Sequence, residues 1–172
     1  MNSRTKNRIA LIGFMGSGKS TIGKQLATLM DYKFIDIDER ITKSECINIP
    51  DIFRIAGESY FRQLESTHLK HAVQEDHCII SCGGGIIESE ENIKLLKETS
   101  QVVWLRCGLQ TMLIRCKGSD RPLLQEENPY DWARQLLEIR EGKYATTSHY
   151  RIDTDSKSIT EISNELYKLI LG

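Results

Sequence analysis

The sequence predicts an α/β fold in which a parallel β-sheet is covered by helices on both faces. Short apolar runs alternate with longer amphipathic stretches throughout the 172 residues. Several runs, such as IALI and VVWL, are apolar at every position, which is typical of strands buried on both faces. Strands that alternate with helices usually pair in parallel. Five strands fit the length, and ligands are expected beyond their carboxyl ends.

The first half of the chain is predicted to contain three strands and two helices. The strands are the runs RIALI, KFID and CIIS, at residues 8–12, 33–36 and 78–81. One helix is predicted over residues 22–30 and a longer one over about residues 58–77. In both segments apolar residues recur every three or four positions, as on one face of an amphipathic helix. These apolar positions are Ile22, Leu26, Leu29, Met30, Phe61, Leu64, Leu69 and Val73.

The second half is predicted to contain two strands, VVWL at residues 102–105 and YRID at residues 150–153. One helix is predicted over residues 90–97, between the third and fourth strands, and another begins near Leu109. These elements continue the alternation of strand and helix that is typical of parallel sheets.

Two later helices are predicted from their capping residues. Asn128 can cap a helix in which Pro129 takes the first position. Ser158 and Glu161 have the spacing of a capping box, which predicts the start of the closing helix. The apolar stripes of these two helices are predicted to consist of Trp132, Leu136 and Ile139, and of Ile162, Leu166, Leu169 and Ile170.

The composition is that of an ordinary globular protein, with 23 Lys and Arg, 24 Asp and Glu and a formal net charge of -1. The basic excess typical of nucleic-acid binding is absent. The N-terminal apolar stretch is too short for a secretory leader, and no run is long enough to span a membrane. We therefore expect one domain over residues 1–172, a cytoplasmic monomer without nucleic-acid or membrane partners.

The five cysteines are odd in number and form no C-x-x-C pair. We expect reduced, mostly buried thiols, as in cytosolic proteins. The five are Cys46, Cys78, Cys82, Cys107 and Cys116.

A phosphate-binding loop is predicted at GFMGSGKST, residues 13–21. The segment matches the pattern G-x-x-x-x-G-K-[ST] and lies between a predicted strand and a predicted helix. Glycines let backbone N–H groups point at phosphate oxygens, and the helix N-terminus favours negative charge. Lys19 can reach the β- and γ-phosphates, and the Ser20 hydroxyl can ligate Mg²⁺. The pattern indicates a nucleoside triphosphate but not the acceptor.

Two carboxylates, Asp36 and Asp38, lie two residues apart at the end of the second predicted strand. If the chain is still extended there, both lie on one face. Two close negative charges favour a cation or a polyol as their partner. One carboxylate can hold the metal shell through water and the other can accept from a hydroxyl. The alternative is an ordinary solvated loop.

Arginines on two predicted helices are further candidates for functional residues. Arg62 and Glu65 are three residues apart and therefore adjacent on one helix face. Either the two residues form an ordinary surface ion pair, or Glu65 orients Arg62 to bind an anion. Arg140 follows on a later helix and, from its position alone, is predicted to be a surface residue.

The segment RCKGSDRPLL supplies Arg115, Lys117 and Arg121 together with Gly118 and Pro122. This composition predicts a mobile basic lid over residues 115–128. Cations brought in by closure would neutralise charge on the transferring phosphoryl group. The alternative is a solvated loop.

Taken together, the motifs GFMGSGKST, DID, FRQLE, CGGG and RPLL, in this order and spacing, resemble those of shikimate kinases. The resemblance runs from Ile9 to at least Tyr144. It implies a three-layer P-loop kinase fold with a five-stranded parallel sheet of order 2-3-1-4-5. It also implies transfer of the γ-phosphate from ATP, with one Mg²⁺ per subunit, to the 3-hydroxyl of shikimate, on the route to chorismate and the aromatic amino acids.

The resemblance implies roles for residues on the nucleotide side. Ser20 would ligate Mg²⁺, and Asp36 would hold its water shell. Arg115 resembles the arginine stacked on adenine, Arg121 the lid arginine that reaches the phosphates, and Lys157 takes the place of an adenine-side arginine that many members carry. The phosphate loop would comprise Gly16, Ser17, Gly18, Lys19, Ser20 and Thr21.

On the acceptor side, the resemblance implies a substrate-binding region over about residues 36–65. Asp38 would hold the substrate hydroxyls, and Arg62 and Arg140 would clamp the substrate carboxylate. The glycines at 83–85 would let bare backbone approach the ring of the acceptor closely. A tight turn between strand and helix is the alternative for these glycines. The implied catalytic groups are Lys19, Asp38 and Arg121.

Other functions remain as alternatives. A gluconate-type or nucleoside-monophosphate kinase of the same fold is one. A gluconate kinase would not call for this combination of FR-x-x-E and triple glycine, and an adenylate-kinase-like enzyme would usually need more lid arginines. A catalytically inactive nucleotide-binding module is another. A GTPase switch is disfavoured, because the guanine-reading string N-K-x-D is missing.

Overall fold

The structure, a computed structural model, describes residues 7–116 and 128–171. These residues form a five-stranded sheet of order β2-β3-β1-β4-β5. All four pairings between neighbouring strands are parallel. The predicted fold class and strand order are confirmed. The strands are β1 (Arg8–Ile12), β2 (Lys33–Asp36), β3 (Cys78–Ser81), β4 (Gln101–Arg106) and β5 (Tyr150–Asp153).

Helices connect the strands, and a one-turn 3₁₀ helix, Ile86–Glu88, follows β3. No helix in the described parts of the chain is long and apolar enough to cross a membrane. The helices are α1 (Lys19–Met30), α2 (Ile37–Glu45), α3 (Ile49–Ala72), α4 (Glu90–Thr99), α5 (Leu109–Cys116), α6 (Pro129–Thr147) and α7 (Ile159–Leu171).

Alternate residues of the central strands enter two separate apolar layers. Ala10 and Ile12 of β1 pack in the larger layer, whereas Ile9 and Leu11 pack in the smaller one. Successive side chains of a strand point to opposite faces, so both faces of the sheet are buried. The larger layer draws on α2 to α6 and the smaller on α1 and α7.

The segment between β2 and β3 differs from the prediction. The chain forms α2 directly after β2, and α3 begins at Ile49 and ends at Ala72 instead of spanning residues 58–77. Gly57 interrupts α3 with φ 81° and ψ 172°. This non-helical glycine obscured the continuity of the apolar pattern, since a residue with positive φ cannot continue an α-helix.

Both capping predictions are confirmed. The Asn128 side chain accepts from the Asp131 N–H at 3.3 Å, and Ser158 and Glu161 form the predicted capping box. The predicted apolar stripes are wrong at Leu29, Ile139 and Leu169, which are 44%, 66% and 40% exposed. The cysteines are free thiols, of which Cys46 is exposed and the other four are buried.

Candidate active site

The loop between β1 and α1 forms a compact turn with positive charge at its centre. Gly16 has φ 71°, and a Cβ there would lie 2.9 Å from the sulfur of Cys116, so this position needs glycine. Lys19 begins α1, and its Nζ donates to the carbonyl oxygens of Gly13 at 2.8 Å and Phe14 at 2.9 Å. The ammonium and the helix N-terminus together favour an anion here.

Oxygen atoms from three elements converge beside this loop. The Ser20 hydroxyl donates to Oδ2 of Asp36 at 2.6 Å and lies 3.4 Å from the hydroxyl of Ser81. Oδ1 of Asp36 accepts from the Glu39 N–H at 3.2 Å and so caps α2. Hydroxyl and carboxylate oxygens are the ligands that hard cations prefer.

A cavity of about 420 Å³, the second cavity, lies beside the phosphate loop. Its lining combines residues of the loop, the end of β3, α5 and the start of α7. They are Gly16, Gly18, Lys19, Ser20, Thr21, Ile22, Asp38, Ser81, Cys82, Gly84, Arg115, Lys157, Ile159 and Ile162.

Arg115 and Lys157 lie on the side of this cavity formed by α5 and the segment after β5. Arg115 donates to the Gly16 carbonyl at 3.2 Å and to the Thr154 carbonyl at 3.0 Å. Lys157 pairs with Glu165 at 2.6 Å. Both residues therefore line the cavity as charged side chains in defined positions. Arg121 and most of the predicted lid lie outside the described residues.

A neighbouring cavity of about 360 Å³, the first cavity, brings together the residues that were predicted to hold an acceptor. It has an apolar wall from α3 and a charged floor. Its lining consists of Met15, Asp38, Thr42, Asn48, Ile49, Pro50, Phe53, Phe61, Arg62, Glu65, Gly83, Gly84, Gly85 and Arg140.

Arg62 is held by two carboxylates of its own helix. It pairs with Glu65, which is only 1% exposed, and with Glu58 at 2.8 Å. Burial alone would lower the pKa of Arg62, but the charges and hydrogen bonds of Glu65 and Glu58 raise it. The arginine is thus a cation oriented by a buried carboxylate, and not an ordinary exposed surface pair.

Arg140 is not the surface residue that its position alone predicted. It is 6% exposed, lines the first cavity and lies 6.0 Å from the centre of the Phe14 ring. Its Nε donates to Oε1 of Glu88 at 2.7 Å. Because α6 packs against the sheet through this face, the first cavity receives a second guanidinium.

In the glycine loop, residues 83–85, the first and third positions have no space for a Cβ atom beside the charged groups. A Cβ on Gly83 would overlap Glu65, and one on Gly85 would overlap the guanidinium of Arg62. The carbonyl oxygen of Gly84 accepts from the hydroxyl of Tyr144 at 2.6 Å. The backbone itself therefore forms this wall of the cavity.

Asp38 and Gly84 line both cavities. The sequence-based premise that the chain is extended at Asp38 is wrong, because Asp36 is the N-cap of α2 and Asp38 lies in its first turn. Oδ1 of Asp38 lies beside the glycine loop, since a Cβ on Gly83 would be 3.1 Å from it. An anion at the phosphate loop and a second ligand in the first cavity would meet at this carboxylate.

The family match agrees with this arrangement. Residues 15–171 match the family model for shikimate kinase. The chain belongs to the shikimate kinase family. A shikimate kinase of Persephonella marina is 44% identical over 159 residues, which are 92% of this chain and 95% of that protein. The structure of a shikimate kinase from Acinetobacter baumannii in complex with shikimate is 36% identical, has a TM-score of 0.93, and covers 95% of this chain and 92% of that one.

Membership of the shikimate kinase family decides between the alternatives left open by the sequence. The chain is an ATP-dependent kinase with ATP as its co-substrate, and not an inactive module. A gluconokinase from Sinorhizobium meliloti is 19% identical with a TM-score of 0.60, a likeness that shows the fold alone.

Four residues of this shikimate kinase site were not predicted. Ser81 ends β3 beside Ser20, and Thr154 follows β5 and contacts Arg115. Tyr144 contacts Gly84, and Glu88 contacts Arg140. Ser81 could have been found from its place at the carboxyl end of a central strand. Thr154 carries the same signal, since it directly follows β5. Tyr144 and Glu88 meet their partners only through tertiary packing, so no local pattern marks them.

The buried carboxyl group of Glu65 makes stability depend on pH. Burial, opposed by Arg62 and reinforced by Asp38, raises the pKa of Glu65 from 4.5 to about 7. Between these two values the folded chain holds a proton that the unfolded chain has lost. The free energy of unfolding therefore falls as pH rises through this window, by roughly 3 kcal/mol for this group.

Urea unfolding of the wild type and of Glu65→Gln between pH 4.5 and 8 measures this effect. The wild type is expected to lose stability relative to Glu65→Gln as pH rises to about 7, and the difference then becomes constant. Glu91→Gln, at an exposed position, is the control and should follow the wild type. Parallel curves for the wild type and Glu65→Gln would contradict the prediction.

Proposed function

We propose that this member of the shikimate kinase family transfers the γ-phosphate of ATP to the 3-hydroxyl of shikimate and releases ADP. The observation that carries the proposal is the pair of adjoining cavities that share Asp38 and Gly84. The complex of the Acinetobacter baumannii enzyme with shikimate supports the choice of acceptor. On this basis the chain acts on the route to chorismate and the aromatic amino acids.

The triphosphate binds at residues 16–21, where backbone N–H groups and the N-terminus of α1 favour its charge. Lys19 exchanges its bonds to loop carbonyls for the β- and γ-phosphate oxygens. Ser20 would ligate one Mg²⁺ and Asp36 would hold it through water, which fits the hydroxyl and carboxylate cluster at this position. The metal would supply positive charge to neutralise the phosphates. Arg115 and Lys157 contact the adenine side.

The acceptor occupies the first cavity. Arg62 and Arg140 grip its carboxylate, since planar guanidinium groups match a carboxylate in geometry and charge. Backbone of the glycine loop contacts the ring, and Asp38 orients the hydroxyl and takes its proton. An acceptor without a carboxylate cannot form these charge-assisted hydrogen bonds with the two guanidinium groups and is expected to bind more weakly.

Arg121 lies outside the described residues; we expect it to reach the phosphates from the predicted lid and, with Lys19, to stabilise the loose transition state while water is excluded. The chain acts as a cytoplasmic monomer of one domain.

ADP production measured with shikimate, gluconate and AMP tests the proposed reaction. Turnover is expected with shikimate at a rate far above that with the other two acceptors or with ATP alone, and it should be lost in EDTA and restored by Mg²⁺. Equal rates with and without shikimate, at normal ATP binding, would contradict the acceptor. Activity that survives EDTA would contradict the metal.

A further inference from the structure

Glu88 links the glycine loop to α6. It ends the one-turn 3₁₀ helix after β3, and its N–H donates to the carbonyl oxygen of Gly85 at 2.9 Å. Its side chain reaches α6, where Oε1 accepts from Nε of Arg140 and Oε2 accepts from Nζ of Lys143, each at 2.7 Å. The carboxylate thus uses both of its oxygen atoms on one helix face.

The bond from Glu88 restrains Arg140 without using its terminal nitrogen atoms. The hydrogen bond to Nε limits rotation of the guanidinium plane and involves neither of the two Nη groups. Arg140 is almost fully buried, and a buried guanidinium needs a compensating charge. Glu88 supplies that charge from outside α6.

Lys143 keeps the charge balance in favour of an anionic ligand. Glu88 alone would neutralise Arg140, but Lys143 pairs with the same carboxylate at 2.7 Å. The three groups together carry a formal charge of about +1. Burial opposes the ionisation of Glu88, but the hydrogen bonds and charges of Lys143 and Arg140 lower its pKa, so the carboxylate stays ionised at neutral pH.

The two guanidinium groups of the first cavity are held in different ways. Arg62 is fixed by Glu58 and Glu65, which belong to its own helix. Arg140 is fixed by a carboxylate from the segment that directly follows the glycine loop. The geometry at Arg140 therefore depends on the distance between the glycine loop and α6.

We propose that Glu88 is a positioning residue that aims Arg140 into the first cavity and thereby sets the affinity for the acceptor carboxylate. The inference rests on the proposed function, because it takes Arg140 as a contact of the acceptor. Glu88 lines neither the first nor the second cavity, so we expect it to affect acceptor binding through Arg140 and not phosphoryl transfer.

Steady-state kinetics of Glu88→Ala and Glu88→Gln test this role. Glu88→Ala is expected to raise the KM for shikimate about 10- to 100-fold, the range for loss of a charge-assisted hydrogen bond. Glu88→Gln keeps one acceptor and the side-chain volume and should raise it less, about 3- to 10-fold. The KM for ATP and kcat should stay within about twofold of the wild type.

Glu91→Gln is the matched control, since Glu91 lies three residues away and is exposed, and it should leave all constants unchanged. Thermal melting shows which variants fold, and if Glu88→Ala does not, Glu88→Gln carries the comparison. An unchanged or lower shikimate KM overturns the inference. So does an equal rise in both KM values with a fall in kcat, which would mean that the glycine loop itself has been disturbed.

Arg140→Met separates failure of this inference from failure of the proposed function. If Arg140→Met leaves the shikimate KM unchanged, the assignment of Arg140 to the acceptor fails. If it raises the KM while both Glu88 variants do not, only the role of Glu88 fails. In the double variant Glu88→Ala with Arg140→Met, the KM should equal that of Arg140→Met alone, because Glu88 acts through Arg140.

Discussion

Asp38→Asn is expected to lower kcat about 10²- to 10⁴-fold, the range for loss of a positioned general base. Asp38 lies in the first turn of α2 and lines both cavities, so it is placed between the phosphates and the acceptor hydroxyl. Asparagine has nearly the same shape but carries no charge and cannot take the hydroxyl proton. ADP release in the presence of shikimate measures the loss.

ATP binding by Asp38→Asn should stay close to that of the wild type, because the phosphate loop is unchanged; calorimetric titration with ATP measures this. Glu39→Gln is the control on the same helix turn, since the Glu39 side chain is exposed and pairs with Lys24. It should have full turnover. Wild-type kcat in Asp38→Asn would remove Asp38 from the chemistry, and lost ATP binding would assign it to the nucleotide.

Lys19→Met is expected to lower kcat/KM for ATP by about 10²- to 10³-fold, the cost of removing a group that stabilises transition-state charge. Methionine preserves the length of the side chain but removes the ammonium. It also removes the donor to the carbonyl oxygens of Gly13 and Phe14, so the loop itself loses two hydrogen bonds. Initial rates at varied ATP concentration measure the effect.

Lys24→Met is the matched control. Lys24 lies on the same helix, is exposed and pairs with Glu39, so its loss removes a surface ion pair of small energetic value. Its kcat/KM should match that of the wild type. If Lys19→Met and Lys24→Met have similar activity, the Lys19 ammonium does not stabilise the transferring phosphoryl group.

The strands and the phosphate loop were predictable because their signals are local. The run RIALI, the glycines after it and the Lys-Ser pair lie in one stretch, and the structure places them as β1, the loop and the start of α1. This part of the site could therefore be predicted from one continuous stretch of sequence.

The wall of the first cavity was harder to predict. Two capping signals precede its helices, since Asp36 accepts from the Glu39 N–H and Asn48 accepts from the Asp51 N–H at 2.8 Å. The residues that follow Asp36 are mostly polar, and Gly57 breaks the helical period of α3. The whole of α2 and the first half of α3 were not predicted for these reasons.

The burial of Arg140 could not be predicted from the local sequence. Nothing around it in sequence indicates burial, and its partner Glu88 lies 52 residues earlier. Only the packing of α6 against the sheet and the 3₁₀ helix brings the two together. The resemblance to the family, and not the local pattern, placed it beside the acceptor.

The distribution of the thiols has a practical consequence for labelling. Burial raises the pKa of Cys78 and of Cys107 to about 11 and also raises that of Cys82. Protonated, enclosed thiols react slowly with alkylating reagents, whereas Cys46 is open to solvent. A maleimide fluorophore would therefore attach to the unmodified chain at one position, two residues from Asn48 in the wall of the first cavity. Its emission would report occupancy of that cavity without any cysteine being removed.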